Sequence, residues 1–84
     1  MTQTEARRLK RALEKQFGGK AEFEPVDKKG RYRFALTSKR FEKMSHLKRQ
    51  AQVWEVIDRT LSREANVDVS MILVFAPADL IATG

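Results

Sequence analysis

Apolar residues recur with helical spacing over Thr4–Phe17, where Leu9, Leu13 and Phe17 fall four apart and Ala6 and Ala12 flank the same side. That spacing predicts an amphipathic helix. Thr2 or Thr4 can cap its start, and Gly18-Gly19 supplies a left-handed exit. Arg7, Arg8, Lys10, Arg11 and Lys15 fill the remaining surface and make it basic. The period then changes. Ala21–Val26 and Arg31–Leu36 read as strands joined by Asp27-Lys28-Lys29-Gly30, a turn whose glycine can take positive φ. Tyr32, Phe34 and Leu36 share one face of the second strand and Arg31, Arg33 and Ala35 the other, so the hairpin buries one side. Pro25 suits an edge strand, where its missing N–H is not needed.

The helical period returns after Ser45, a good cap, and predicts a long helix to about Ser62 or Glu64. At about 100° per residue, Leu47, Ala51, Trp54, Ile57 and Leu61 cluster into a core stripe with Trp54 as its anchor. Lys48, Arg49, Gln52, Arg59 and Arg63 gather opposite, and Gln50 falls just inside the apolar edge. Val67–Phe75 is the last strand. Val67, Val69, Met71, Leu73 and Phe75 occupy one face; Asp68, Ser70, Ile72 and Val74 occupy the other, which turns apolar towards its end. The strand is therefore either central or partly covered on that second face, and an exposed Ile72–Val74 face would favour a weak homodimer over a monomer. Pro77 stops it, and Ala78–Leu80 forms a terminal turn. The order is αββαβ, with room for a short extra helical turn before the long helix. It predicts an α+β fold: a three-stranded mixed sheet with helices on one face, since a helical crossover between the second and third strands requires a parallel pair.

Composition narrows the classes. Eighty-four residues, 42% of them hydrophobic, make one domain over 1–84 with a single modest core spanning about 4–80. With no cysteine, a disulfide framework, a thiolate metal site and a cysteine nucleophile are excluded. The N-terminus lacks the apolar segment of a signal peptide, and no apolar run approaches the roughly 18 residues that span a bilayer, so a soluble, cytoplasmic protein is expected. Only one histidine is present, there is no P-loop or dinucleotide fingerprint, and the Glu55/Asp58 pair sits among basic neighbours. Ser38, Ser45, Ser62 and Ser70 have caps or turns to explain them. An enzyme is not expected, and neither a metal nor a cofactor is called for.

Charge is distributed unevenly. Met1–Arg49 carries 15 Lys/Arg against 6 Asp/Glu, and the remainder 2 against 5, for a total of +6. The densest stretch surrounds FEKMSHLKRQ: Lys39, Arg40, Lys43, Lys48 and Arg49 place five cations in eleven residues, with Glu42 as the one acid. Such a corner reads phosphates, not bases, since Phe41 is the only aromatic among the cations and belongs to the core. A solvated basic loop is the competing reading. Five contacts on duplex DNA would give a slope of log K against log salt of about −4 to −5.

From Phe41 onward the residues resemble the BolA family. F-E-K-M-S-H-L-K-R-Q-A-Q-V-W, a helix, then V-D-V-S-M-I-L-V-F-A-P-A-D-L follows that family's order of F-x-G-x-S, R-H, helix, V-H-A-L and T-P-x-E. The preceding A-L-T-S-K-R-F is similar to its V-V-S-x-x-F. Phe41, Ser45, Arg49, Val53, Val67 and Pro77 match over a resemblance covering about Thr4–Leu80. It implies a class II KH-like topology. It also implies one of two roles: a nucleic-acid-binding, transcription- or stress-linked regulator, or an adaptor for a monothiol glutaredoxin-like partner in iron–sulfur and iron homeostasis. The departures are specific. Lys43 stands where the family has glycine, and Gln50 and Asp68 stand where it has the two histidines associated with ligating a cluster shared with the glutaredoxin. His46 has no histidine or cysteine companion, and an amide and a carboxylate are poor substitutes for imidazole on iron. Gln50, Asp68 and His46 are accordingly partner-docking candidates, not ligands. The KH mode of RNA binding needs a G-x-x-G loop, and glycines at 18, 19, 30 and 84 provide none. Nucleic-acid contact therefore falls to Lys39, Arg40, Lys43, Lys48 and Arg49.

Overall fold

The computed structural model describes residues 1–81. Helix α1 (Gln3–Phe17) begins at a capping box, in which the Thr2 hydroxyl accepts from the Glu5 amide while the Glu5 carboxylate accepts from the Thr2 amide. It buries Ala6, Leu9, Leu13 and Phe17, the stripe its spacing predicts. Gly18 and Gly19 both take positive φ. Gly19 also passes so close to the β2 exit that a Cβ there would lie 2.0 Å from the Thr37 carbonyl oxygen. That approach fixes where the following loop begins.

Strands β1 (Lys20–Pro25) and β2 (Tyr32–Thr37) pair antiparallel with Ala21 opposite Leu36 and Phe23 opposite Phe34. A 3-10 turn at Lys39–Phe41 supplies the extra helical turn. Helix α2 (His46–Thr60) follows its Ser45 cap, whose hydroxyl accepts from the Lys48 amide. It ends earlier than its pattern suggests. Leu61 is extended, and Ser62 caps a separate turn, α3 (Arg63–Asn66), by accepting from the Ala65 amide at 3.2 Å. Strand β3 (Val69–Phe75) then pairs parallel with β2, giving the mixed order β1-β2-β3, and α4 (Pro77–Ile81) closes the described chain. Pro77 stops the strand by starting this helix, a position where its missing N–H costs nothing.

The helices share one face of the sheet, α1 across β1 and β2 and α2 across β3. The core joins Leu9, Leu13 and Phe17 to Phe34, Leu36, Phe41, Val53 and Ile57. Two faces differ from expectation. In β3 the buried residues are Val69, Ile72 and Val74, while Met71 and Leu73 point away from the helices. The pairing shifts between Tyr32 and Arg33, leaving Ser70 as a bulge that puts Val69 and Ile72 on the same side. The Ile72–Val74 face is therefore interior and makes no homodimer. In α2 the buried residues are Arg49, Val53, Val56 and Ile57; Leu47 is 82% exposed and Ala51 is exposed. The helix is turned about its axis relative to the predicted stripe, and Trp54 packs at the core margin rather than its centre.

Candidate functional site

The loop from Ser38 to Ser45 is pinned by buried contacts. Ser38, 3% exposed, donates its hydroxyl to the Phe17 carbonyl at 2.6 Å and accepts from the Arg40 amide. Phe41 packs on Phe17 with ring centroids 5.0 Å apart. The Arg40 guanidinium donates to the Gln16 carbonyl at 2.8 Å, so a cation sits at the C-terminus of α1, where the helix dipole favours it. Lys43 has φ 66°, the one non-glycine residue among those described with positive φ. The left-handed turn required there accounts for the glycine of the F-x-G-x-S pattern. Lys39, Arg40, Lys43 and Lys48 are all exposed around this corner.

Arg49 is not among them. It is 5% exposed, and its side chain donates to the Met44 carbonyl at 3.1 Å, the Val74 carbonyl at 3.5 Å and the Asp79 carboxylate at 2.6 Å. The guanidinium fork thereby ties together the loop, the β3 edge and α4. Asp79 also accepts from the Ala76 amide at 2.8 Å. Hydrogen bonding from Arg49 first, then from Ala76, holds its carboxyl below the usual carboxylate range. A cation expected to contact phosphate is thus a buried clamp, because the helix presents this face inward.

Gln50 lies at the boundary of the buried face. Its Nε2 donates to the Ile72 carbonyl at 3.1 Å, and its Oε1 accepts from the Trp54 indole N–H at 3.2 Å. Both ends of the amide are engaged, and the β3 edge is latched to α2. Asp68 precedes β3 and its carboxylate pairs with the amino group of Met1, while its backbone carbonyl accepts from the Tyr32 amide. His46 is exposed on the first turn of α2. Among the described residues no hydrogen bond joins Gln50, Asp68 and His46, and no three His, Cys, Asp or Glu side chains converge to hold a metal.

Hydrophobic surface remains uncovered on the outer side of α2. Leu47, Ala51 and Trp54 follow the i, i+4, i+7 spacing of one helical ridge, with the first two exposed and the third half-buried. The helical spacing alone predicts these three residues in the core stripe. The signals that separate them from the interior face are Val53 and Val56, which share the inward side with Arg49.

No protein-family model matches this chain, and no curated protein matches it in sequence. Solved structures do. BolA1 from Arabidopsis thaliana aligns with a TM-score of 0.72 at 21% identity, over 93% of this chain and 98% of that one. The fold is BolA-like. The BolA domain of SufE1 from Arabidopsis thaliana aligns with a TM-score of 0.68 at 19% identity, over 94% of this chain and 98% of that one. On this BolA-like frame the residues standing where the family resemblance has its two cluster-associated histidines do not fit an iron–sulfur cluster, as expected of an amide and a carboxylate. Gln50 spends its amide on Ile72 and Trp54, and Asp68 offers a carboxylate where cluster iron favours thiolate or imidazole. Among the described residues, no helix is long and apolar enough to cross a membrane.

Proposed function

We propose that this chain is a protein-interaction adaptor that receives a monothiol glutaredoxin-like partner on the outer ridge of α2 without donating a ligand to any cluster. The observation that carries the reading is Leu47, 82% exposed at the head of a ridge it shares with Ala51 and Trp54. A large aliphatic side chain held in water on a rigid helix, beside a half-buried tryptophan, is the composition of a docking anchor. The partner class comes from the BolA resemblance, and the latched Gln50 supports docking in place of ligation. The role is one of binding, not catalysis.

The test is size-exclusion chromatography with a cluster-loaded monothiol glutaredoxin and with its apo form. Co-elution in both cases, an unchanged visible spectrum and loss of the complex in Leu47→Asp are the expected results. Absence of any complex, or a complex that forms only with cluster and brings a new visible band, would overturn the proposal.

A second reading has its own observation. Lys39, Arg40, Lys43 and Lys48 remain exposed at one corner, and Lys43 occupies a left-handed conformation that glycine would adopt without strain. Four phosphate contacts would give a salt slope on duplex DNA of about −3 to −4, shallower than five would. The triple variant Lys39→Glu, Arg40→Glu, Lys43→Glu should abolish that binding; retention of it would remove the corner from consideration.

A further inference from the structure

The helices leave one side of the sheet uncovered, and strand pairing arranges its side chains as a grid. The β1 column carries Lys20, Glu22 and Glu24. The β2 column opposite them reads Thr37, Ala35 and Arg33, and the β3 column beyond reads Phe75, Leu73 and Met71. Charge thus lies along one margin and apolar surface along the other, with Met71 49% and Leu73 41% exposed. Between them the small Ala35 leaves a depression of about 330 Å³ bordered by Glu22, Glu24, Arg33 and Leu73.

A partner that adds a strand has little purchase here. On β1, Pro25 lacks an N–H and the Ala21 amide is taken by the Glu14 carboxylate at 3.0 Å. On β3, the Ile72 and Val74 carbonyls are taken by Gln50 and Arg49. Both edges are blunted, so contact must be made through the face. Charge then selects the occupant. The chain carries +6 overall, concentrated on α1 and the basic corner, and would repel a copy of itself there. On the open face Lys20 and Arg33 balance Glu22 and Glu24, and a like molecule meets no net repulsion.

We propose that this face binds a second copy of the chain, sheet to sheet, about a two-fold axis that crosses the strands and passes over Ala35. That axis exchanges the rows of the grid. Lys20 of each copy then lies over Glu24 of the other, and Met71 over the other's Phe75, each twice by symmetry. Leu73 meets its own counterpart beside the Ala35 depression, which gives it room to interdigitate. Glu22 also meets its counterpart, but each is accompanied by Lys20 at 3.4 Å. An axis parallel to the strands would superpose like rows and form no Lys20–Glu24 pair. The face is small, so the dimer is a weak one governed by concentration.

Sedimentation velocity over about a hundredfold range of concentration reads this directly. The wild-type chain should shift from monomer towards dimer. Lys20→Glu and Glu24→Lys should each weaken self-association about tenfold, because each places like charges together twice. Their side chains are 75% and 57% exposed, so neither change removes a buried contact. Mixing the two variants should restore a dimer, since both pairs are then opposite in sign. A wild-type chain that stays monomeric throughout would overturn the proposal. A mixture that associates no better than either variant alone would overturn the cross-strand axis.

Discussion

The two sides of α2 invert the usual division between charge and hydrophobicity. Its inner side buries a guanidinium, and its outer side holds a leucine in water. The inner cation is tolerated because its N–H groups meet two backbone carbonyls and a carboxylate, so its desolvation is matched by hydrogen bonds. The outer leucine is 82% exposed. Burial with a guanidinium hydrogen-bonded to three partners marks a structural part, and an exposed leucine leaves a surface free for the docking proposed above. Gln50 sits on the boundary and belongs to the structural side, since it closes the β3 edge.

Removing the inner clamp should have the largest effect. Arg49→Met is expected to destabilise the fold by about 3 kcal/mol in urea unfolding, because the Met44 and Val74 carbonyls and the Asp79 carboxylate each lose a hydrogen bond. Gln50→Ala should cost about 1 kcal/mol by freeing the Ile72 carbonyl and the Trp54 indole. Lys43→Gly should stabilise by about 1 kcal/mol, since glycine takes the left-handed conformation without strain. Leu47→Ser should leave stability within about 0.5 kcal/mol of wild type while removing partner binding. If Leu47→Ser unfolded the chain, or Arg49→Met were neutral, the two sides of the helix would have been assigned the wrong way round.

Acid titration sharpens the same contrast. Asp79 has its folded pKa depressed by Arg49, so its contribution is present above the unfolded value and disappears as pH falls through the folded one. Glu14 behaves likewise, its carboxyl lowered chiefly by the Ala21 amide. Stability should therefore fall below about pH 4, and Arg49→Met should lose part of that dependence. An identical pH profile in the variant would mean that the Arg49–Asp79 contact carries no stability.

Much of the frame was legible because it is written in local periods. The α1 stripe, the hairpin and the Ser45 cap are set by residues within a turn or two of one another, and the parallel pair follows from a helix between strands. The phase of α2 was not legible for a different reason. Arg49 counts as polar in any pattern, and the carboxylate that permits its burial lies 30 residues further on. With that position set outward, the larger Leu47 and Trp54 outweighed Val53 and Val56. The β3 face failed on the bulge at Ser70, which shifts the alternation by one residue without a glycine or proline to announce it. At the candidate site, the cations of the corner were evident from composition. The latch was half legible: Gln50 falls inside the apolar edge and lies one turn from Trp54, but its bond to the Ile72 carbonyl, 22 residues on, depends on tertiary contact.

The most direct test of the docking ridge is a ¹⁵N-HSQC titration of the chain with an apo monothiol glutaredoxin, reading the Trp54 indole N–H together with the Leu47 and Ala51 amides. The indole reports the ridge and the latch at once, because it donates to Gln50. Binding on the outer side of α2 predicts saturable shifts at these three signals, with the Val53 and Ile57 amides little moved. Shifts confined to Lys39–Lys43, or none at all, would contradict the account.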